Sequence, residues 1–236
     1  MNKQIQLFIL PYAGGSIAAF RRLTDLIDER IDTVTVEYPG RGTRIKEPLA
    51  KDIESLINDA SLYCLARRQV DVPYAIMGYS MGSILAYEML SRNVLPGVLK
   101  HFFVSAEVSP KDRSLELRKV LDPTDERILE RVKKLGGLNE RMLQDTRFAE
   151  IYIKPMLSDY RLFFSYHFNG QCKKIKTDTT FFYCEEDTAL EDVAKWSELI
   201  EGQFCYHEIG NNHFFINQYY KEMAGIINQS LCSIMG

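Results

Sequence analysis

No run of eighteen apolar residues occurs in this chain of 236 residues, which excludes a helix that crosses a membrane. Its start, Met1-Asn2-Lys3-Gln4-Ile5, leads straight into a strand-like run and has none of the layout of a signal peptide. Cysteine is sparse: Cys64, Cys172, Cys184, Cys205 and Cys232 are odd in number and show neither C-x-x-C nor zinc-ligand spacing. They read as small buried hydrophobes in a reducing compartment, so a soluble, cytoplasmic protein without bound metal is expected. An excess of one charge is also missing. Lys and Arg number 29 against 32 Asp and Glu, a net charge of −3, which leaves no general footprint for nucleic acid. The pair Gly14-Gly15 is followed by no Walker lysine, and no G-x-G-x-x-G is present, so a nucleotide cradle is not expected. What is present is ordinary globular composition: 46% hydrophobic and 26% charged residues argue against disorder. The length suits one domain, 1–236, with a large core.

Strand-like and helix-like stretches alternate along the first hundred residues. The apolar runs predict strands at 4–10, 33–37, 74–77 and 101–106, and the intervening periodicity predicts helices at 17–27, 52–68 and 83–92. A βαβα order implies a parallel sheet with helices on both faces. From 108 to 170 the rhythm changes: helical stretches are predicted at 125–135, 139–148 and 151–164, with no convincing strand. Thr124 is a candidate N-cap and Gly136-Gly137 a stop. Strands at 179–184 and 204–209 and helices at 190–200 and 214–231 then resume the sheet, so the helical stretch reads as a lid inserted into one domain. The insertion holds twelve Lys and Arg (111, 113, 118, 119, 127, 131, 133, 134, 141, 147, 154, 161) against ten acids, and these read as solvated helix faces.

The most informative stretch is Gly78-Tyr79-Ser80-Met81-Gly82, a serine between two glycines where a buried strand meets an amphipathic helix. A serine hydroxyl is a weak nucleophile at its own pKa and needs a base, itself oriented by a carboxylate. Four histidines are available. His101 opens a strand, His167 ends the lid and His207 alternates within a strand. His213 comes last, in the polar loop after the final strand, where the base of such a site is expected. The acid belongs just past the strand before it, where Glu185, Glu186 and Asp187 stand. Asp187 is the candidate, Glu185 and Glu186 reading as solvated or helix-capping charges and Asp192 as a helix-dipole acid. Donors for an oxyanion are expected from the amide of Met81 and, in the loop after the first strand, from the amide of Ala13.

These motifs together resemble a family. Leu10-Pro11-Tyr12-Ala13-Gly14-Gly15, then Tyr38-Pro39-Gly40-Arg41-Gly42-Thr43-Arg44 with Glu47-Pro48, then Gly78 to Gly82, Asp187 with Trp196, and Gly210 to Phe215 are similar to stand-alone type II thioesterases of nonribosomal peptide and polyketide synthesis. The resemblance spans almost the whole chain. It implies an α/β-hydrolase fold, a triad at Ser80, Asp187 and His213, oxyanion amides at Met81 and Ala13, and no cofactor of the protein's own. It implies hydrolysis of acyl groups from phosphopantetheinyl carrier proteins, removing misprimed or stalled groups. Two positions depart from the family: Tyr79 replaces a usual histidine, and Glu185-Glu186 stands where glycine is more common. The arginines of the 39–44 turn serve structure or face the carrier, with no catalytic role carried onto them. A carrier-protein partner and a monomer are expected, without nucleic acid or membrane.

Three other functions fit parts of the pattern. A small-molecule carboxylesterase shares the elbow. A chain-terminating thioesterase shares the chemistry, but the chain opens on its first strand and closes on its last helix, so a fused carrier domain is not expected. A non-catalytic hydrolase-like binding protein keeps the sheet and loses the three residues, all of which are in place here.

Overall fold

The computed structural model describes residues 3–117, 124–170 and 174–235; Arg118, Lys119 and Cys172 lie outside the described residues. The elements follow in the order β1 (Ile5–Leu10), α1 (Ile17–Thr24), β2 (Ile31–Thr35), α2 (Ile53–Leu65), β3 (Tyr74–Tyr79), α3 (Met81–Ser91), β4 (Leu99–Ser105) and α4 (Pro110–Leu117). They continue with α5 (Asp125–Lys134), α6 (Glu140–Gln144), α7 (Thr146–Phe148), α8 (Lys154–Phe164), β5 (Thr179–Tyr183), α9 (Leu190–Ala194), β6 (Phe204–Glu208) and α10 (Ile216–Cys232). The six described strands form one sheet in the order β2-β1-β3-β4-β5-β6, and every pairing is parallel. The chain runs outward from β1 to β2, then restarts on the other side of β1 with β3, which makes the β1/β3 boundary the switch point where such sheets place their sites.

Strand side chains alternate between two cores, as a period of two requires. Phe8, Leu10, Ile76, Phe102, Val104 and Phe181 face the side covered by α2, α3 and the helical insertion. Ile5, Leu7, Ile9, Ala75, Met77, Phe103 and Phe182 face the side covered by α1 and α10. Helix starts are made where the side chains dictate. Asp52 accepts the Ser55 amide at 2.6 Å in a capping box, Thr124 caps α5, and Gly136 with φ of 86° ends it, as its sequence implied.

The insertion differs in detail from the periodicity. Helix α4 was not expected, although Ser109-Pro110 is a start signal: Ser109 Oγ accepts the Asp112 amide at 3.2 Å and proline suits a first helical position. The stretch 139–148 is two short helices because Asp145 leaves helical geometry (ψ of 107°) to cap the Phe148 amide at 3.0 Å. A π-turn at Ala149–Ile153 leads into α8, where Pro155 stands in the first turn and donates no hydrogen bond. Two readings of burial need correction. Cys205 is exposed, because β6 is an edge strand with three of its five residues exposed and none buried. Arg113 is buried, not on a solvated helix face. Among the described residues, no helix is long and apolar enough to cross a membrane.

Candidate active site

Strand β3 ends at Tyr79 and α3 begins at Met81, so Ser80 alone makes the turn. It does so at φ of 51° and ψ of −122°, a conformation L-residues rarely adopt. The flanking glycines are required by contact. A Cβ on Gly78 would strike the Ser83 backbone, and one on Gly82 would strike the carbonyls of Leu10 and Pro11. The elbow is therefore packed directly against the loop that leaves β1. Hydrogen bonds stitch it to β4 as well: the Ser80 amide donates to Ser105 O at 2.8 Å, and Ser83 Oγ both donates to Ser105 O (3.1 Å) and accepts its amide (3.2 Å). Met81 opens α3, so its amide is among those with no partner inside the helix.

Asp187 lies four residues past β5, in a turn whose amides at 187 and 188 donate to Cys184 O at 3.0 and 2.8 Å. Its Oδ2 lies 2.7 Å from His213 Nδ1, with the two side chains only 11% and 7% exposed. An ionised carboxylate only accepts, so Nδ1 carries the proton and a neutral ring keeps Nε2 as its acceptor. The His213 loop is fixed from two directions. Asn212 Oδ1 accepts the Phe214 amide at 2.9 Å, and the Tyr79 hydroxyl donates to His213 O at 2.6 Å while facing the Ile216 amide at 3.4 Å. Burial pushes the Tyr79 phenol well above its usual range, so it remains a donor. Tyr79 thus ties the residue before the serine to the backbone of the histidine.

Ser80, Asp187 and His213 line one cavity of about 350 Å³, together with Glu107, Arg113, Arg131, Tyr160, Phe163 and Asp192. Glu107 was missed from the sequence, yet an acid directly past a buried strand is the same signal that marked Asp187. Burial pushes its carboxyl up, against the pull of Arg113, with which it is ion-paired. Its carbonyl accepts Trp196 Nε1 at 2.8 Å, which gives the chain's one tryptophan a structural task. Asp192, expected only to favour its helix, bonds Lys195 at 2.7 Å and also reaches the cavity wall. Ala13 does not line this cavity. It lies in the wall of a neighbouring one of about 230 Å³, with Tyr12, Leu138, Phe148, Met156 and Phe214. The other histidines stand apart: His101 is buried on β4 with Nε2 2.8 Å from Thr180 Oγ1, His167 is exposed, and His207 is half-buried on β6.

The ends of β3, β4, β5 and β6 thus bring Ser80, Glu107, Asp187 and His213 to one cavity, while Ala13, past the end of β1, lines another. A family model described as "Thioesterase domain" matches residues 5–231. The chain belongs to the thioesterase family. This thioesterase is 27% identical to thioesterase PikA5 of Streptomyces venezuelae, over 100% of its own length and 84% of that protein's. It is 26% identical to the gramicidin S biosynthesis protein GrsT of Aneurinibacillus migulanus, over 97% and 89%. Among solved structures it is similar to ClbQ from the colibactin NRPS/PKS pathway, with a TM-score of 0.87, 25% identity and 100% of both chains covered. The type II thioesterase BorB from the borrelidin biosynthetic cluster superimposes with a TM-score of 0.81 at 26% identity, covering 98% and 94%. The parallel sheet and these neighbours make the fold that of the α/β-hydrolases, and the enzyme a serine hydrolase of thioesters.

Proposed function

We propose that this thioesterase is a type II editing enzyme that frees misprimed or stalled acyl groups from the phosphopantetheine arm of carrier proteins. The observation that carries the reading is the 2.7 Å contact between Asp187 and His213 in a cavity whose wall includes the elbow serine. In the first step His213 Nε2 takes the proton of Ser80 Oγ as the oxygen attacks the thioester carbonyl. The amides of Met81 and Ala13 hold the oxyanion. The C–S bond breaks, the imidazolium of His213 gives its proton to the departing sulfur, and the thiol, whose pKa of about 8.5 makes it a good leaving group, departs. Water then gives a proton to neutral His213 as it attacks the acyl-serine; His213 passes that proton to Ser80 Oγ as the acid departs, which restores both residues. Asp187 orients His213 and stabilises its charged form. No cofactor of the chain's own is needed for these steps. The apolar cavity beside Ala13 offers room for an acyl chain. The helical stretch across the site gates access for the arm. A carrier protein is the partner, the cytoplasm with its reducing conditions suits the four described free cysteines, and the protein works as a monomer.

The test compares rates on carrier-bound, coenzyme A-bound and oxygen-ester forms of one acyl group. Preference for the carrier-bound thioester supports the reading. Ready cleavage of simple esters with no action on acetyl-phosphopantetheinyl carrier protein would establish a carboxylesterase instead. Hydrolysis by Ser80→Ala at the parent rate would remove the serine from the mechanism.

A further inference from the structure

The turn at 39–44 takes no part in the chemistry above, yet it holds the most buried ion pair among those of the described residues. Arg41 and Asp159 are 3% and 2% exposed. The guanidinium forks onto the carboxylate, with Nη2 donating to Oδ1 at 2.7 Å and Nη1 to Oδ2. Oδ2 also accepts the amide of Gly14 at 2.8 Å, and Gly14 directly follows Ala13. On the other side of Ala13, the hydroxyl of Tyr38 donates to Pro11 O at 3.0 Å. The ring of Tyr38 lies beneath the Arg41 guanidinium, 5.3 Å away. Gly14 has φ of 78°, and a Cβ there would come within 2.6 Å of Met156 Cβ on α8. Only glycine, in a left-handed conformation, lets the loop lie this close to the helix that carries Asp159.

We infer that Asp159, held by Arg41, is a positioning residue for the oxyanion loop, making the direction of the Ala13 amide depend on α8 being seated. The inference rests on the reading of Ala13 as an oxyanion donor. Two bonds bracket Ala13, one from the 39–44 turn through Tyr38 and one from the inserted helix through Asp159. A carboxylate that bonds the Gly14 amide fixes the peptide that joins residues 13 and 14, and rotation of the neighbouring peptides moves the donor away from the developing charge. The Arg41 guanidinium supplies the counter-charge to this buried carboxylate. The arginine of the turn is thereby explained without contact to substrate.

Stability and catalysis are separable here, because a buried ion pair is often replaceable by apolar residues of similar volume with no loss of stability. The paired variant R41M/D159L is expected to unfold near the parent temperature while kcat falls about 10- to 100-fold, with KM unchanged. The conservative Asp159→Asn keeps an oxygen for the Gly14 amide. It is expected to lose stability yet keep kcat within about threefold, the reverse pattern. Should R41M/D159L not fold, Tyr38→Phe releases the loop from its other side and is expected to lower kcat several-fold at constant KM. A kcat that merely tracks melting temperature across these variants, or a raised KM at unchanged kcat, would overturn the inference. Ser80→Ala serves as the separate control: if it is inactive while R41M/D159L has full kcat, the positioning role alone fails. If Ser80→Ala is active, the reading of the site fails first.

Discussion

Replacing Tyr79 by phenylalanine removes one oxygen from a fully buried position and keeps the ring, so no cavity opens around the aromatic group. What is lost is the bridge from the elbow to the histidine loop. The His213 carbonyl loses a donor at 2.6 Å and the Ile216 amide a longer contact at 3.4 Å. A buried polar group left without a partner costs about 1 to 3 kcal/mol. The short bond dominates, which puts the destabilisation at about 2 to 3 kcal/mol. In a chain of this size each kcal/mol moves the melting temperature by about 2 to 4 °C, so a fall of about 4 to 12 °C is expected. Catalysis should suffer separately, because the freed carbonyl lets the His213 backbone drift, and a misplacement of about 1 Å costs on the order of 100-fold. Thermal unfolding gives the first quantity, and single-turnover hydrolysis of an acyl thioester, well below the melting temperature, gives the second. A Tyr79→Phe enzyme that melts within about a degree of the parent and turns over at the parent rate would refute the bridge as a positioning device.

Three further outcomes are expected. Asp187→Asn should fold normally and lower kcat by about 10³ to 10⁴, since the amide favours the wrong imidazole tautomer; a parent-like rate in single-turnover acylation would remove Asp187 from its orienting role. Gly82→Ala should destabilise by about 2 kcal/mol or more and abolish activity, because the added methyl meets main-chain carbonyls that cannot yield; a stable, active variant in denaturant titration and assay would contradict the packed elbow. Burial pushes the His101 imidazole down to about 4, below its unfolded value of about 6.5. The unfolded chain therefore binds the extra proton first. Stability is fully present above about pH 6.5 and falls by up to about 1.4 kcal/mol per unit as pH drops toward 4. Urea titrations at pH 7 and 4.5 should show this loss, and His101→Gln should reduce it; an unchanged pH dependence in that variant would assign the loss elsewhere.

The inner strands β1, β3, β4 and β5 were legible because they are largely apolar runs, a pattern that burial on both faces demands, and all six strands were found within two residues of one boundary or the other. The parallel sheet followed from the βαβ order and the α/β-hydrolase fold from the family resemblance, and the six described strands are all parallel. Helix breaks were harder to read. Asp145 ends one helix with its backbone and caps the next with its side chain, and periodicity does not register a one-residue interruption. Ser80, Asp187 and His213 line one cavity and Ala13 another, and the supports of these residues depend on partners far away in sequence. Arg41 is unremarkable until Asp159 meets it, and the hydroxyl of Tyr79 has a purpose only once the loop at 213 is in place. Such pairings have no local signature.

The arrangement of strand ends also governs when activity is gained and lost. The serine follows an inner strand with partners on both sides, whereas the histidine hangs from β6, which among the described strands pairs with β5 alone. During synthesis, nothing resembling a working site exists until the last strand has docked. Under mild denaturant the edge is expected to fray first, silencing the base while the nucleophile is still correctly bent. Enzyme activity is therefore a more sensitive reporter of this molecule's integrity than the signal of its core.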